Sequence, residues 1–225
     1  MRDYKQLIAQ CIERGKINLA SPYPPDMKGQ IGADEITAEA VKANESPDTI
    51  LSGCMKGMEI IGEKFSTQKA YVPELLMAAK AMSAAMEHLK PFFDSGTVKT
   101  MGTLIVGTVA GDLHDIGKNL VSMVVKGGGW KIVDLGVDVS AEKFLKAANE
   151  YPGAVIGLSA LLTTTMVNME RIITYLRENN FKGKIIVGGA PVTQEFADKI
   201  GADSYGKDPQ AAQQFLDKVM QSVTE

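Results

Sequence analysis

The second half of the chain repeats one unit, a short apolar run closed by glycine and followed by a stretch of helical periodicity, and few folds accommodate that pattern. GTLIVGTV (102–109), WKIVDLG (130–136), GAVIGLSA (153–160), GKIIVGGA (183–190) and the weaker ADSYG (202–206) read as five strands. Between them, 118–126, 141–150, 167–179 and 193–200 read as helices, and a last helix starts at Pro209 with Asp208 as its cap. The strand runs are continuously apolar and rich in β-branched residues, which indicates strands buried on both faces of a parallel sheet. The prediction is a doubly wound α/β domain of flavodoxin- or Rossmann-like type. In such sheets ligands bind beyond the carboxyl ends of the strands, so the loops there are where chemistry is expected.

Residues 1 to about 90 follow a different pattern, with apolar residues at steps of three and four and little strand signal. Ile50, Cys54, Met58, Ile61 and Phe65 form one stripe between Pro47 and Phe65. A further helix runs from Pro73 towards Leu89, and Arg2–Leu19 and Asp34–Asn44 supply two more. Four such helices predict an N-terminal four-helix bundle over 1–90. The stretch SPYPPDMKGQIG between the first two is too rich in Pro and Gly for regular helix. Residues 91–100, opened by Pro91 and containing Gly96, are expected to break the helix and link the bundle to the α/β domain of 101–225.

The net charge is −3, and Lys and Arg are scattered, so no basic face points to nucleic acid. No apolar run approaches membrane-spanning length and the first residues carry no apolar signal core, which places the protein in the cytoplasm and away from membranes. Cys11 and Cys54 are the two cysteines, expected as reduced, buried thiols.

Three loops at the carboxyl rim hold unusual residues: GDLHDIG after the first strand, SALLTTT after the third and GGAP after the fourth. His114, flanked by Asp112 and Asp115, has the make-up of a metal ligand whose second nitrogen donates to a carboxylate, although a surface or helix-capping histidine fits the local string as well. His88, the other histidine, reads as a structural residue near a helix C-terminus. Gly188-Gly189 likewise fits either a ligand slot or a turn.

Spacing separates these readings. Asp112-Leu-His114-Asp-Ile-Gly117 is followed after residues 118–158 by Ser159-Ala-Leu161, and after residues 162–187 by Gly188-Gly189. This resembles the D-x-H-x-x-G, S-x-L, G-G signature of the cobalamin-binding domains of methionine synthase and the methyltransferase corrinoid proteins, which also carry an N-terminal helical bundle. The resemblance implies cobalamin bound with its own base displaced, His114 as lower ligand to cobalt, and Asp112 and Thr165 completing a relay behind it. It assigns Gly111, Leu113, Asp115, Ile116, Gly117, Leu161 and Tyr205 to the cofactor's surroundings, and Ser159, Thr163, Gly188 and Gly189 to the slot for the nucleotide tail. Gly62-Glu-Lys-Phe65 and Val72-Pro73-Glu74 are similar to the cap region of methionine synthase, which implies that Phe65 and Val72 cover the methyl face. As bundle core both residues are equally at home. Leu51 stands where some relatives carry a glutamate.

What the resemblance implies chemically is a carrier, not itself catalytic, that alternates between cob(I)alamin and methylcob(III)alamin in anaerobic one-carbon metabolism. Its methyl group would come from methanol, a methylamine, a betaine or an aryl methyl ether (O-demethylation) through a substrate-specific methyltransferase. A second methyltransferase, using tetrahydrofolate or coenzyme M, would accept it, and a reductive activator would restore the cobalt. The 91–100 linker would serve as the hinge. A cobalamin-dependent sensor, a mutase-type subunit and a cobalt-free flavodoxin-like protein are the alternatives.

Overall fold

The computed structural model describes residues 2–95 and 100–224. They fall into two compact units, one of residues 1–100 with 127–129, the other of 101–126 with 130–225.

The first unit is helical. Helix α1 (Tyr4–Glu13) starts on Asp3, whose carboxylate accepts the Gln6 amide at 3.0 Å. It was expected to reach Leu19 but stops at Arg14, because Gly15 takes a φ of +67° and the Lys16 amide donates back to the Cys11 carbonyl at 2.8 Å. That pattern is a glycine-terminated helix end. A loop with a short 3-10 turn (Pro25–Met27) leads to α2 (Ala33–Lys42), where Glu35 accepts the Gly32 amide at 2.9 Å and the Leu19 amide at 2.8 Å. Helix α3 (Pro47–Ser66) is capped by Ser46 and helix α4 (Val72–Asp94) by Glu74, which accepts the Tyr71 amide at 2.6 Å. A Cβ on Gly53 or Gly57 would come within 2.7 Å of the Lys5 or Ala9 carbonyl, so these two glycines let the α1 backbone lie directly on α3. Ile8, Ile12, Ile50, Cys54, Met58, Leu75, Met82 and Leu89 fill the core between the helices.

Pro91 was expected to end the fourth helix, yet α4 continues through it to Asp94. A proline this close to a C-terminus removes a single ladder bond, and the Ser95 amide closes the end on the Pro91 carbonyl at 3.1 Å. The expected break at Gly96 lies outside the described residues.

In the second unit β1 (Thr103–Thr108), β2 (Lys131–Asp134), β3 (Val155–Ser159), β4 (Ile185–Gly188) and β5 (Ser204–Gly206) form a wholly parallel sheet of order β2-β1-β3-β4-β5. Helices α5 (Ile116–Gly127), α6 (Ala141–Glu150), α7 (Thr163–Glu178), α8 (Gln194–Lys199) and α9 (Pro209–Thr224) connect and cover it. Successive strand residues feed opposite cores: Ile105, Ile156 and Val187 pack with Phe144, Met169 and Ile172, whereas Leu104, Val106 and Ile186 pack with Trp130 and Leu216. The sheet is therefore buried on both faces, as the continuous apolar runs require. The chain reverses its winding between β1 and β3, so the loops after these neighbouring strands face one another across a switch point.

Candidate functional site

Asp112 is the centre of the rim. It leaves β1 in a loop that turns at Gly111, whose φ of +81° suits a residue without a side chain. Its carboxylate is fully buried and receives hydrogen bonds from both sides of the switch point. Oδ1 accepts from His114 Nδ1 at 2.8 Å and the His114 amide at 3.1 Å. Oδ2 accepts from the Thr165 hydroxyl at 2.6 Å and the Leu161 amide at 2.8 Å. Burial pushes the carboxyl's pKa up, but the bonds from Thr165, Leu161 and His114 together outweigh it and hold the group well below the usual carboxylate range.

An ionised Asp112 fixes the imidazole. Because a carboxylate only accepts, Nδ1 carries the proton and Nε2 keeps its lone pair. The His114 side chain is half exposed, and no described residue bonds its Nε2. The arrangement is a carboxylate–imidazole pair with one open nitrogen, the form in which histidine ligates a metal.

Further contacts, which the sequence reading missed, hold this loop in place. The Asp138 carboxylate accepts the Gly111 amide at 2.7 Å while its own amide donates to the Asp112 carbonyl at 3.0 Å. Asn168 donates to the Ala110 carbonyl at 2.7 Å, and the buried Thr108 hydroxyl donates to the His114 carbonyl at 2.8 Å. Asp138 lies in the rim loop after β2, outside the three loops singled out from the sequence, and its φ of +51° is a feature of the fold that no local string displays.

The remaining candidates fall in four places. Leu113 and Ile116 are 72% and 79% exposed beside His114, and the Asp115 carboxylate accepts from Asn119 at 3.0 Å. Thr163 and Thr165 were expected in a loop, but α7 begins at Thr163; the Leu161 amide is tied to Asp112, and the Thr165 and Met166 amides bond the Leu162 carbonyl, so the turn winds from there. Gly117, Ser159, Gly188, Gly189 and Tyr205 line a cavity of about 290 Å³ between the sheet, α5 and α9. A Cβ on Gly189 would sit 1.8 Å from the Ala160 carbonyl oxygen, so no other residue fits there. Lys118, also on the wall, is buried and ion-paired with Asp134 at 2.5 Å. Phe65 and Val72 belong to the helical unit, at the end of α3 and the start of α4. His88 lies well inside α4 because that helix extends to Asp94, and its partner is Asp34 at 2.6 Å rather than a helix terminus.

A parallel sheet buried on both faces thus carries at its switch point an imidazole with an open nitrogen and, beside it, a glycine-lined cavity, an arrangement with the donor and the room that a metal-bearing cofactor needs. Comparison with known proteins gives the class: residues 102–214 match the B12 binding domain and residues 30–90 a second B12 binding domain, so the chain belongs to the B12-binding family and its cofactor is cobalamin. Trimethylamine corrinoid protein 1 of Methanosarcina mazei is 43% identical over 180 residues, which cover 78% of this chain and 83% of the relative. A corrinoid protein of Desulfitobacterium hafniense is 36% identical over 192 residues, 83% of this chain and 89% of that one. Among solved structures, the methanol:cobalamin methyltransferase complex MtaBC of Methanosarcina barkeri superposes with a TM-score of 0.79 at 30% identity, covering 97% of this chain and 80% of that one. No helix among the described residues is long and apolar enough to cross a membrane.

Proposed function

We propose that this chain is a methyl-carrying corrinoid protein, which accepts a methyl group from a substrate-specific methyltransferase and hands it to a second one that uses tetrahydrofolate or coenzyme M. The observation that carries the reading is the hydrogen-bonded series Thr165–Asp112–His114, which ends in an unbonded imidazole nitrogen on the rim beside a tail-sized slot. The methylamine and methanol systems of its relatives favour a small methylated substrate.

Bound cobalamin supplies a cobalt centre able to take up and release a methyl group. His114 would hold the cobalt through Nε2, with Asp112 fixing the ring's tautomer and orientation. Thr165 and the Leu161 amide keep Asp112 charged throughout. Gly111, Leu113, Asp115, Ile116, Gly117 and Leu161 are assigned to the corrin's underside, and Ser159, Thr163, Gly188, Gly189 and Tyr205 to the tail slot. The roles of Phe65 and Val72 at the methyl face rest on the likeness of their segments to the cap of methionine synthase. The same reading takes 1–90 as cap, 91–100 as linker and 101–225 as cofactor domain, in a cytoplasmic protein served by a reductive activator.

The test is reconstitution with cobalamin followed by methyl transfer assays with a methylamine or methanol methyltransferase. Wild-type protein should turn over, and His114→Ala should retain less cobalamin and transfer more slowly. Cobalt spectra unchanged in that variant would contradict the assignment.

A further inference from the structure

We propose that the tail slot selects among cobamides by the base they carry, taking benzimidazole-type bases in preference to purines. The inference deepens the reading above and rests on it.

Polarity in the slot is graded by depth. The register across β1, β3 and β4 sets two levels: Thr108, Ser159 and Gly188 at the carboxyl edge, and Val106, Gly157 and Ile186 two residues further in. The lining side chains that carry polar atoms stand at the outer level or in the segments that join it, whereas the inner level is Val106, Gly157 and Ile186 with Leu104 deeper still. The covering helices repeat the gradient. Helix α5 passes from Lys118 to Leu120 and Val121, and α9 from Asp208 at its cap to Ala212 and Leu216. Three of these elements, β3, α5 and α9, thus turn from polar to apolar in the same direction, and the β1 and β4 residues on the wall carry no polar side chain.

The inner end also lacks backbone partners. β1, β3 and β4 each have a strand on both sides, so their amides and carbonyls are engaged in the ladder. Lys118, a charged group on the wall, already binds Asp134 and Asn119. Gly157 leaves room there, since a Cβ would come no nearer than 3.4 Å to the Leu104 and Val106 side chains. The side chains that line the slot's inner end, among the described residues, thus offer no donor or acceptor.

Adenine and benzimidazole are two-ring bases of like size, but adenine adds an exocyclic amine and two ring nitrogens. Carried into the inner end, those atoms lose water and find no partner, and each such unpaired group weakens binding by about tenfold. Methyl groups on a benzimidazole instead gain from the same walls.

The experiment titrates the cofactor-free full chain with three cobamides that share one corrin and upper ligand: cobalamin, its unsubstituted benzimidazole analogue and its adenine analogue. Absorbance reports both affinity and displacement of the cofactor's own base. Cobalamin should bind at least as tightly as the benzimidazole cobamide, and the adenine cobamide at least about tenfold more weakly than the benzimidazole one. Val106→Thr, which keeps the side-chain shape and adds a hydroxyl, should narrow that gap. Equal affinity for all three, or a benzimidazole cobamide as weak as the adenine one, overturns the proposal, the second because size would then be the discriminant. A wild-type preference left untouched by Val106→Thr overturns the inner wall as its cause. If cobalamin itself fails to bind or keeps its own base on cobalt, the reading of the site falls first, and that outcome is seen independently of the other two cobamides.

Discussion

The helical unit and the α/β unit each bury a charged side chain completely, and the two charges end differently. Lys16, 0% exposed in the helical unit, donates from Nζ to the Ser21 carbonyl at 2.8 Å and so ties the Pro-rich loop to the end of α1. Asp112, equally buried, receives its bonds from two strand-end loops and passes their effect to an imidazole with one free nitrogen. A buried charge whose bonds all close within the fold is an architectural pin. One whose bonds lead to an exposed, unbonded atom is part of a site. The same distinction separates the glycines: Gly53 and Gly57 bring two helices into contact, whereas Gly157 leaves an opening.

That contrast can be broken most forcefully at Lys16. Lys16→Ala removes a fully packed stem and strands the Ser21 carbonyl, and should destabilise the protein by about 3 kcal/mol in chemical denaturation. The cobalt spectrum of the loaded variant should be that of the wild type, and a spectral change would blur the line drawn here. Thr165→Val deletes one donor to Asp112 at constant shape. It should cost about 2 kcal/mol and alter the cobalt spectrum as well, with Thr165→Ser restoring both.

The helical unit's other buried titratable groups give a pH test. Burial pushes the Cys54 thiol up to about 12 and the Cys11 thiol up to about 11, the latter lowered in part by Lys16. Both native values lie above those of the unfolded chain, so the stability that goes with neutral thiols is intact below pH of about 8.5 and declines as pH rises through the native values. Each thiol contributes a slope of about 1.4 kcal/mol per pH unit there, and Cys54→Ala should remove one of the two. The smallest effect is expected at Asp138, whose bond to the Gly111 amide is exposed. Asp138→Gly tolerates the positive φ but loses the acceptor, and should cost about 1 kcal/mol, whereas Asp138→Asn keeps both and should cost less.

Much of this architecture was legible because local signals agreed. Helix α6 (Ala141–Glu150) was read at its full length, since Ser140 caps an amphipathic run that nothing interrupts. Helix α7 was read as starting four residues late because Thr163, Thr164 and Thr165 are β-branched and read as strand end or loop; the bond from Thr165 to Asp112, which helps fix this turn, joins residues distant in sequence. Pro91 misled in the opposite sense, its cost at a helix end being smaller than in the interior. Strand order, and with it the meeting of the loops after β1 and β3, is a property of packing that no local pattern encodes. His114, Asp112 and Thr165 were singled out by the resemblance of their motifs to a known family, but Asp138 and Asn168 act on the loop backbone and leave no motif.

The central claim is that a protein imidazole, not the cofactor's own base, sits beneath the cobalt, and electron paramagnetic resonance of the loaded protein in its Co(II) state tests it directly. Protein grown with ¹⁵N-histidine and loaded with unlabelled cobalamin should show each cobalt line split into a doublet, where unlabelled protein shows a triplet. A triplet that persists in the labelled protein would mean that the cobalamin base is still bound and would contradict the account.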